Sequence, residues 1–140
     1  MDGKWMDQRP KGVAETEKIT INLGHVDLGH IDLLVKDGFY ANRTDFIRTA
    51  IRNLADRHAD AARHSIMRRG LDLGLRHVTR AELEAVVEAG RMIEIRVLGL
   101  ASIAMDVPAE LARAAIAGIT VMGALQASAA VKAALADRIR

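Results

Sequence analysis

The sequence predicts an α+β protein, in which a short strand and two helices precede a module of strand–helix repeats. Three observations support this class. Residues 18–23 alternate between polar and apolar side chains, residues 28–54 carry apolar side chains at helical spacing, and the C-terminal half repeats itself at an offset of 24 residues. We divide the chain into an N-terminal arm (1–16), a first domain (17–64) and a C-terminal domain (65–140).

The composition excludes several classes of protein. Half of the residues are apolar and 27% are charged, a balance that is typical of folded chains rather than disordered ones. There is no cysteine, which excludes disulfides, thiolate metal sites and cysteine nucleophiles, and favours a reducing cytoplasm. The net charge is only +2, so any basic groups that contact nucleic acid must be placed individually rather than act through bulk charge.

The N-terminal arm is polar, contains Pro10 and Gly12 and shows no hydrophobic period, which predicts a flexible segment. It also lacks the apolar core of a secretory signal. Elsewhere no apolar run approaches the roughly 18 uncharged residues of a membrane span. We therefore expect a cytoplasmic protein with no membrane contact.

The first domain begins with a strand at residues 18–23, because a period of two is the pattern of a half-buried strand. Its apolar face consists of Ile19, Ile21 and Leu23, and its polar face of Lys18, Thr20 and Asn22. Gly24 ends the strand. The two faces predict that one side packs on a core while the other remains in solvent.

Two helices follow the strand. The first carries Leu28, Ile31, Leu34 and Val35 at helical spacing and ends at Asp37 and Gly38, a typical C-terminal signal. The second begins at Asn42, which can cap the first turn, while Asp45 lies three residues later, where a capping-box acid belongs. The inward face of the second helix consists of Phe46, Ile47, Ala50, Ile51 and Leu54.

This domain is incomplete as a single copy. It has one strand with no local pairing partner, and about 45 residues bury too little apolar surface to fold alone. Pairing the strand with its twin across a two-fold axis solves both problems and leaves the polar faces as a two-stranded ribbon, which fits the major groove of DNA. The dimer core then consists of Ile19, Ile21, Leu23, Ile31, Phe46, Ile47 and Ile51.

The strand Lys18–Leu23, the turn at Gly38 and the helix start Asn42–Arg48 resemble the ribbon-helix-helix (MetJ/Arc, CopG-type) DNA-binding domains, over about residues 17–63. The start of the domain is similar to that of the nickel-responsive repressors. The resemblance implies an intertwined dimer that shares a two-stranded antiparallel ribbon and binds double-stranded DNA. Gly29, inside the first helix, departs from the pattern and weakens that helix by about 1 kcal/mol relative to alanine.

The resemblance also implies roles for individual residues. The base-reading residues are Lys18, Thr20 and Asn22, and the phosphate-binding residues are Asn42, Arg43 and Thr44. Lysine can donate to guanine, asparagine can pair with adenine, and threonine offers a hydroxyl and a methyl group. The start of the second helix offers backbone N–H groups to a phosphate, and Arg43 adds a positive charge. If the capped second helix were absent, the simpler interpretation of Lys18, Thr20 and Asn22 would be the solvent-exposed face of an edge strand.

The sequence contains no motif that predicts catalysis or metal binding. The five histidines are scattered, no pair has the i, i+4 spacing of a helical metal site, and phosphate loops and nucleophile elbows are absent. We expect no enzyme activity, no cofactor and no metal.

The C-terminal domain repeats at an offset of 24 residues, which aligns Ile95–Gly99 with Ile119–Gly123. The same offset aligns Val107 with Val131 and Leu111 with Leu135, and a fainter copy begins near Leu73. Each copy reads as a strand, a glycine, a turn and an alanine-rich helix. Because the last copy carries no obvious polar cap, we expect this domain to assemble dimers into a higher homo-oligomer or to receive a signal.

The sequence therefore favours a bacterial-type transcriptional regulator that associates with the nucleoid. Repression rather than activation follows from the resemblance alone. An antitoxin or plasmid-maintenance factor is an alternative within DNA binding. A structural protein that polymerises through its repeats, with the ribbon as a dimer clasp, is an alternative from another class.

Overall fold

The structure, a computed structural model, describes residues 16–140. Residues 18–140 form two compact units, Lys18–Arg68 and Arg69–Arg140. The arm predicted for residues 1–16 lies outside the described residues except for Thr16. No helix among the described residues is long and apolar enough to cross a membrane.

The first unit contains helices α1 (His25–Lys36), α2 (Arg43–Arg57) and α3 (Ala59–Arg69). The first two predicted helices are confirmed. Helix α1 ends before Gly38, which has a φ of 85°, and the side chain of Asn42 caps α2. Helix α3 was not predicted, and none of its residues is buried.

Residues 16–24 form no hydrogen-bonded strand within the single chain. The side chains of Ile19, Ile21 and Leu23 are 75%, 60% and 41% exposed, so the apolar face of the predicted strand lacks a covering layer. In the single chain this segment therefore has no strand partner and an uncovered apolar side, as expected for a strand that pairs only with a second chain.

The second unit alternates strands and helices. Its elements are β1 (Asp72–Val78), α4 (Arg80–Glu88), β2 (Ile93–Ile103), α5 (Ala109–Ala115), β3 (Ile116–Gln126) and α6 (Ala129–Ala134). The three strands form one parallel sheet in the order β1-β2-β3. The alanine-rich helix of the copy that begins at Ile95 is α5, which ends at Ala115 because β3 begins at the next residue.

The strand register matches the sequence repeat. Ile95 pairs with Ile119 and Gly99 with Gly123, so the offset between β2 and β3 is the 24 residues over which the sequence aligns. Gly74 of β1 pairs with Gly99, an offset of 25. These three glycines form a column across the sheet, and all have φ values between 113° and 137°.

The core of this unit lies between the sheet and its helices. It includes Ile95, Val97 and Ile103 from β2, and Val131 and Leu135 from the last repeat, all with 2% exposure or less. The C-terminus closes part of the sheet edge, which the sequence did not predict. The N–H of Ile119 donates to Arg138, and the N–H of Arg140 donates to Ile119, with N···O distances of 2.9 and 2.8 Å.

Candidate nucleic-acid interface

The predicted base-reading side chains lie on the first unit, in the segment before α1. Lys18, Thr20 and Asn22 are all exposed, and each is separated from the next by one apolar residue. In an extended backbone this spacing directs the three polar side chains to one side and the apolar ones to the other. The alternation therefore separates a polar side, which can contact a ligand, from an apolar side that is exposed in the single chain.

An apolar groove lies beside that segment. It has a volume of about 420 Å³, and its lining consists of Ile21, Leu23, Asp27, His30, Ile31, Phe46, Ile47, Ala50 and Ile51. Six of the seven predicted dimer-core residues are in this lining, and Ile19 is the exception. Ile31 is 5% exposed, whereas Ile51 is 59% exposed, so the groove has a floor but no cover in one chain.

The aromatic pair at the start of α2 gives the groove a rigid end. The rings of Tyr40 and Phe46 meet edge to face, with their centroids 4.9 Å apart and an interplanar angle of 83°. Since Phe46 also lines the groove, this contact fixes the position of α2 relative to the turn that precedes it.

The side chains of Asn42 and Asp45 cap the start of α2. Oδ1 of Asn42 accepts a hydrogen bond from the N–H of Asp45 at 2.8 Å, and Oδ2 of Asp45 accepts one from the N–H of Ala41 at 2.9 Å. This is the capping arrangement that the sequence predicts, with the acid bonded to the residue before the cap. The backbone N–H groups of Arg43 and Thr44 lie in the first turn, where the helix dipole favours an anion.

Arg43 is part of an ion pair that the sequence did not predict. Its Nε and Nη2 donate to the two carboxylate oxygens of Asp32, both at 2.8 Å. These hydrogen bonds hold the pKa of Asp32 below its ordinary value and raise the pKa of Arg43. The pair links α1 to α2 and orients the guanidinium, whose remaining N–H groups face away from Asp32 and can donate to a second anion.

No group of three or more His, Asp or Glu side chains that could hold a metal ion occurs within residues 16–140. In the second unit, Nδ1 of His77 lies 3.2 Å from Oγ of Ser102, and Arg76 pairs with Glu82. His77 and Ser102 face each other across paired strands, which satisfies the polar atom of a serine that is only 3% exposed.

The model of the Ribbon-Helix-Helix transcriptional regulator family matches residues 14–132, which include both units. No curated protein matches the chain. No solved structure matches it either.

Proposed function

The chain belongs to the Ribbon-Helix-Helix transcriptional regulator family and is a DNA-binding transcriptional regulator, and we propose that it acts as a repressor whose two chains share a ribbon at residues 18–23. The family confirms the resemblance that the sequence analysis described.

The observation that carries the proposal is the open apolar groove beside an unpaired segment of alternating residues. Ile31 is the one described residue of the first unit that is buried, and α2 has no buried residue. A unit with so little interior is not stable alone. A second copy supplies the missing strand and helices, so that Ile19, Ile21 and Leu23 become the core of a dimer.

Pairing of the two strands gives the polar side chains their role. Lys18, Thr20 and Asn22 of both chains then project from one face of a two-stranded ribbon, which is narrow enough for the major groove. Each can read a base edge, since lysine donates, asparagine both donates and accepts, and threonine adds a methyl contact.

The start of α2 then fixes the ribbon on the DNA backbone. Asn42 holds the first turn in shape, and the N–H groups of Arg43 and Thr44 bind a phosphate together with the positive end of the helix. Asp32 orients Arg43 so that its free N–H groups reach the same phosphate. These contacts position the protein and carry no sequence information.

The second unit supports a further step of assembly. Within the described residues β1 pairs only with β2, and the C-terminus covers the outer edge of β3 only at Ile119. Free strand edges are templates for pairing with another chain. We propose that residues 65–140 link dimers on neighbouring sites and that the protein works in the cytoplasm on the nucleoid.

The test uses the full chain and genomic DNA fragments. Fragments retained at moderate salt are selected and sequenced, and the affinity for the recovered site is compared between Ile51→Glu and Val26→Glu. Ile51 lines the groove and Val26 does not, although 59% and 72% of their surfaces are exposed. A buried carboxylate without a partner disrupts the dimer, so Ile51→Glu loses site binding while Val26→Glu keeps it.

Equal binding by the two variants would refute the dimer groove. Failure to retain any specific fragment would refute sequence-specific regulation and leave the structural assembly protein as the better interpretation.

A further inference from the structure

The second unit has a sheet face that no helix covers. Strand residues that alternate with the buried ones form two rows across this face. The rows are Leu73, Leu98 and Met122, and Leu75, Leu100 and Ala124, each set aligned by the strand register. None of the six belongs to the core cluster or packs against it, and Leu73 is 74% exposed. We call these six residues the outer face.

A parallel sheet with one bare apolar face is an unusual arrangement. All-parallel sheets occur almost only with both faces covered, because their strands are apolar on both sides. The outer face carries no charged side chain in either row, and its rims are polar. His77 and Gln126 lie at one end, and Arg96 and Glu94 at the other, where they form an ion pair at 3.5 Å. An apolar centre with a polar rim is the pattern of a protein interface, and it offers nothing to a phosphate backbone.

The size of the outer face restricts its occupant. Three strands spaced about 4.8 Å apart and the seven paired residues of β1, which rise about 3.3 Å each, give roughly 330 Å² for the outer face together with its polar rim. Two such surfaces together bury roughly 660 Å², about half of what a specific complex between free proteins needs. The outer face therefore pairs efficiently only with a partner that is already held nearby.

We infer that the outer face packs on the same face of the second chain of the ribbon dimer. The inference rests on the dimer of the proposed function, because that dimer supplies the nearby partner. Tethering in one dimer raises the effective concentration of the two second units relative to each other, so that a contact too small for free proteins can form. The contact is isologous, so its two-fold axis lies near Leu98 and Leu100 on the central strand.

The absence of cysteine gives a direct test in the full chain. Leu98→Cys introduces a single thiol at the centre of the outer face, and Leu100→Cys provides a second probe on the same strand. Sheets packed face to face lie about 10 Å apart, a gap that a bis-maleimide with a two-carbon spacer crosses. Met105→Cys is the control, since Met105 is 76% exposed in the loop after β2.

We expect both probes to cross-link into covalent dimers at least about tenfold faster than the control, at a rate that does not change on dilution, because the two thiols are held in one dimer. Three results would overturn the inference. The first is that the probes cross-link no faster than the control, and the second is a cross-linking rate that falls on dilution. The third is that the probes do not cross-link and also react slowly with a mono-maleimide. That third result would mean that another segment or another protein covers the outer face.

Specific-site binding by the same variants separates this inference from the proposed function. A variant that binds its site but does not cross-link contradicts only the packing of the outer face. A variant that cross-links but binds no specific site contradicts the proposed function and leaves the packing intact.

Discussion

Replacement of Gly99 by alanine tests the glycine column most sharply. A Cβ atom on Gly99 would lie 2.1 Å from the carbonyl oxygen of Gly74 and 3.0 Å from its carbonyl carbon. Both atoms belong to the backbone of a paired strand, so they cannot rotate away as a flexible side chain would. In addition, Gly99 has a φ of 137°, a conformation that L-residues rarely adopt. The substitution must therefore separate β1 from β2 or distort both.

The structure gives an order of magnitude for the free energy of unfolding that Gly99→Ala loses, and it offers two control substitutions. Backbone strain contributes about 1–3 kcal/mol and overpacking a similar amount, so we expect Gly99→Ala to lose about 3 kcal/mol or more. Gly74→Ala carries the strain of a φ of 113° but meets no atom within 4 Å, and we expect a loss of about 1–3 kcal/mol. Gly29→Ala, in open space on α1, should gain up to about 1 kcal/mol.

Amide hydrogen exchange measured peptide by peptide reports the two units separately. A loss of about 3 kcal/mol in the second unit accelerates exchange in β2 roughly 100-fold, while α1 in the other unit serves as the internal reference. Gly74→Ala should fall between Gly99→Ala and the unchanged protein. Equal exchange in the Gly74 and Gly99 variants would refute the close approach of the two backbones.

Three further outcomes follow from the first unit. Arg43→Ala should weaken binding to all DNA sequences alike and lower the slope of log K against log salt by about one, measured by fluorescence anisotropy; a loss confined to one sequence would mean a base contact. The ion pair with Arg43 lowers the folded-state pKa of Asp32. The stability that the ion pair adds to the folded protein is therefore present at neutral pH and is lost as the pH falls through that pKa. In urea unfolding, the free energy of unfolding of Asp32→Asn should therefore fall less between neutral and acid pH than that of the unchanged protein. An equal fall in the two proteins would contradict the ion pair. Ile31→Ala, at the 5% exposed floor of the groove, should destabilise the dimer by about 2–5 kcal/mol in concentration-dependent unfolding, whereas a concentration-independent transition would contradict a shared core.

Local signals in the sequence predicted the features that depend on neighbouring residues. The cap at Asn42 and Asp45 and the helix end before Gly38 follow from short-range hydrogen bonding and backbone conformation. The 24-residue offset aligned Ile95–Gly99 with Ile119–Gly123, and these residues pair between β2 and β3 because each repeat adds one strand to the same sheet.

Other features depend on contacts between distant residues and could not be predicted. Asp32 and Arg43 are eleven positions apart on different helices, and no spacing rule joins them. The pairing of Ile119 with Ile139 depends on where the chain lies after α6. Helix α3 was not predicted, and it has no buried residue that would mark a core-facing side. The proposed ribbon needs two chains, whereas one sequence contains only the alternation of residues 18–23.

Base reading by the proposed ribbon is tested most directly by substitutions of its polar side chains. Thr20→Ala and Asn22→Ala both alter exposed side chains outside the groove lining, so the dimer mass should not change. Affinity for the selected site and for a scrambled duplex is measured for each variant at one fixed salt concentration. We expect each substitution to remove about 1–3 kcal/mol of discrimination between the two duplexes. Discrimination equal to that of the unchanged protein in both variants would contradict base reading by the ribbon.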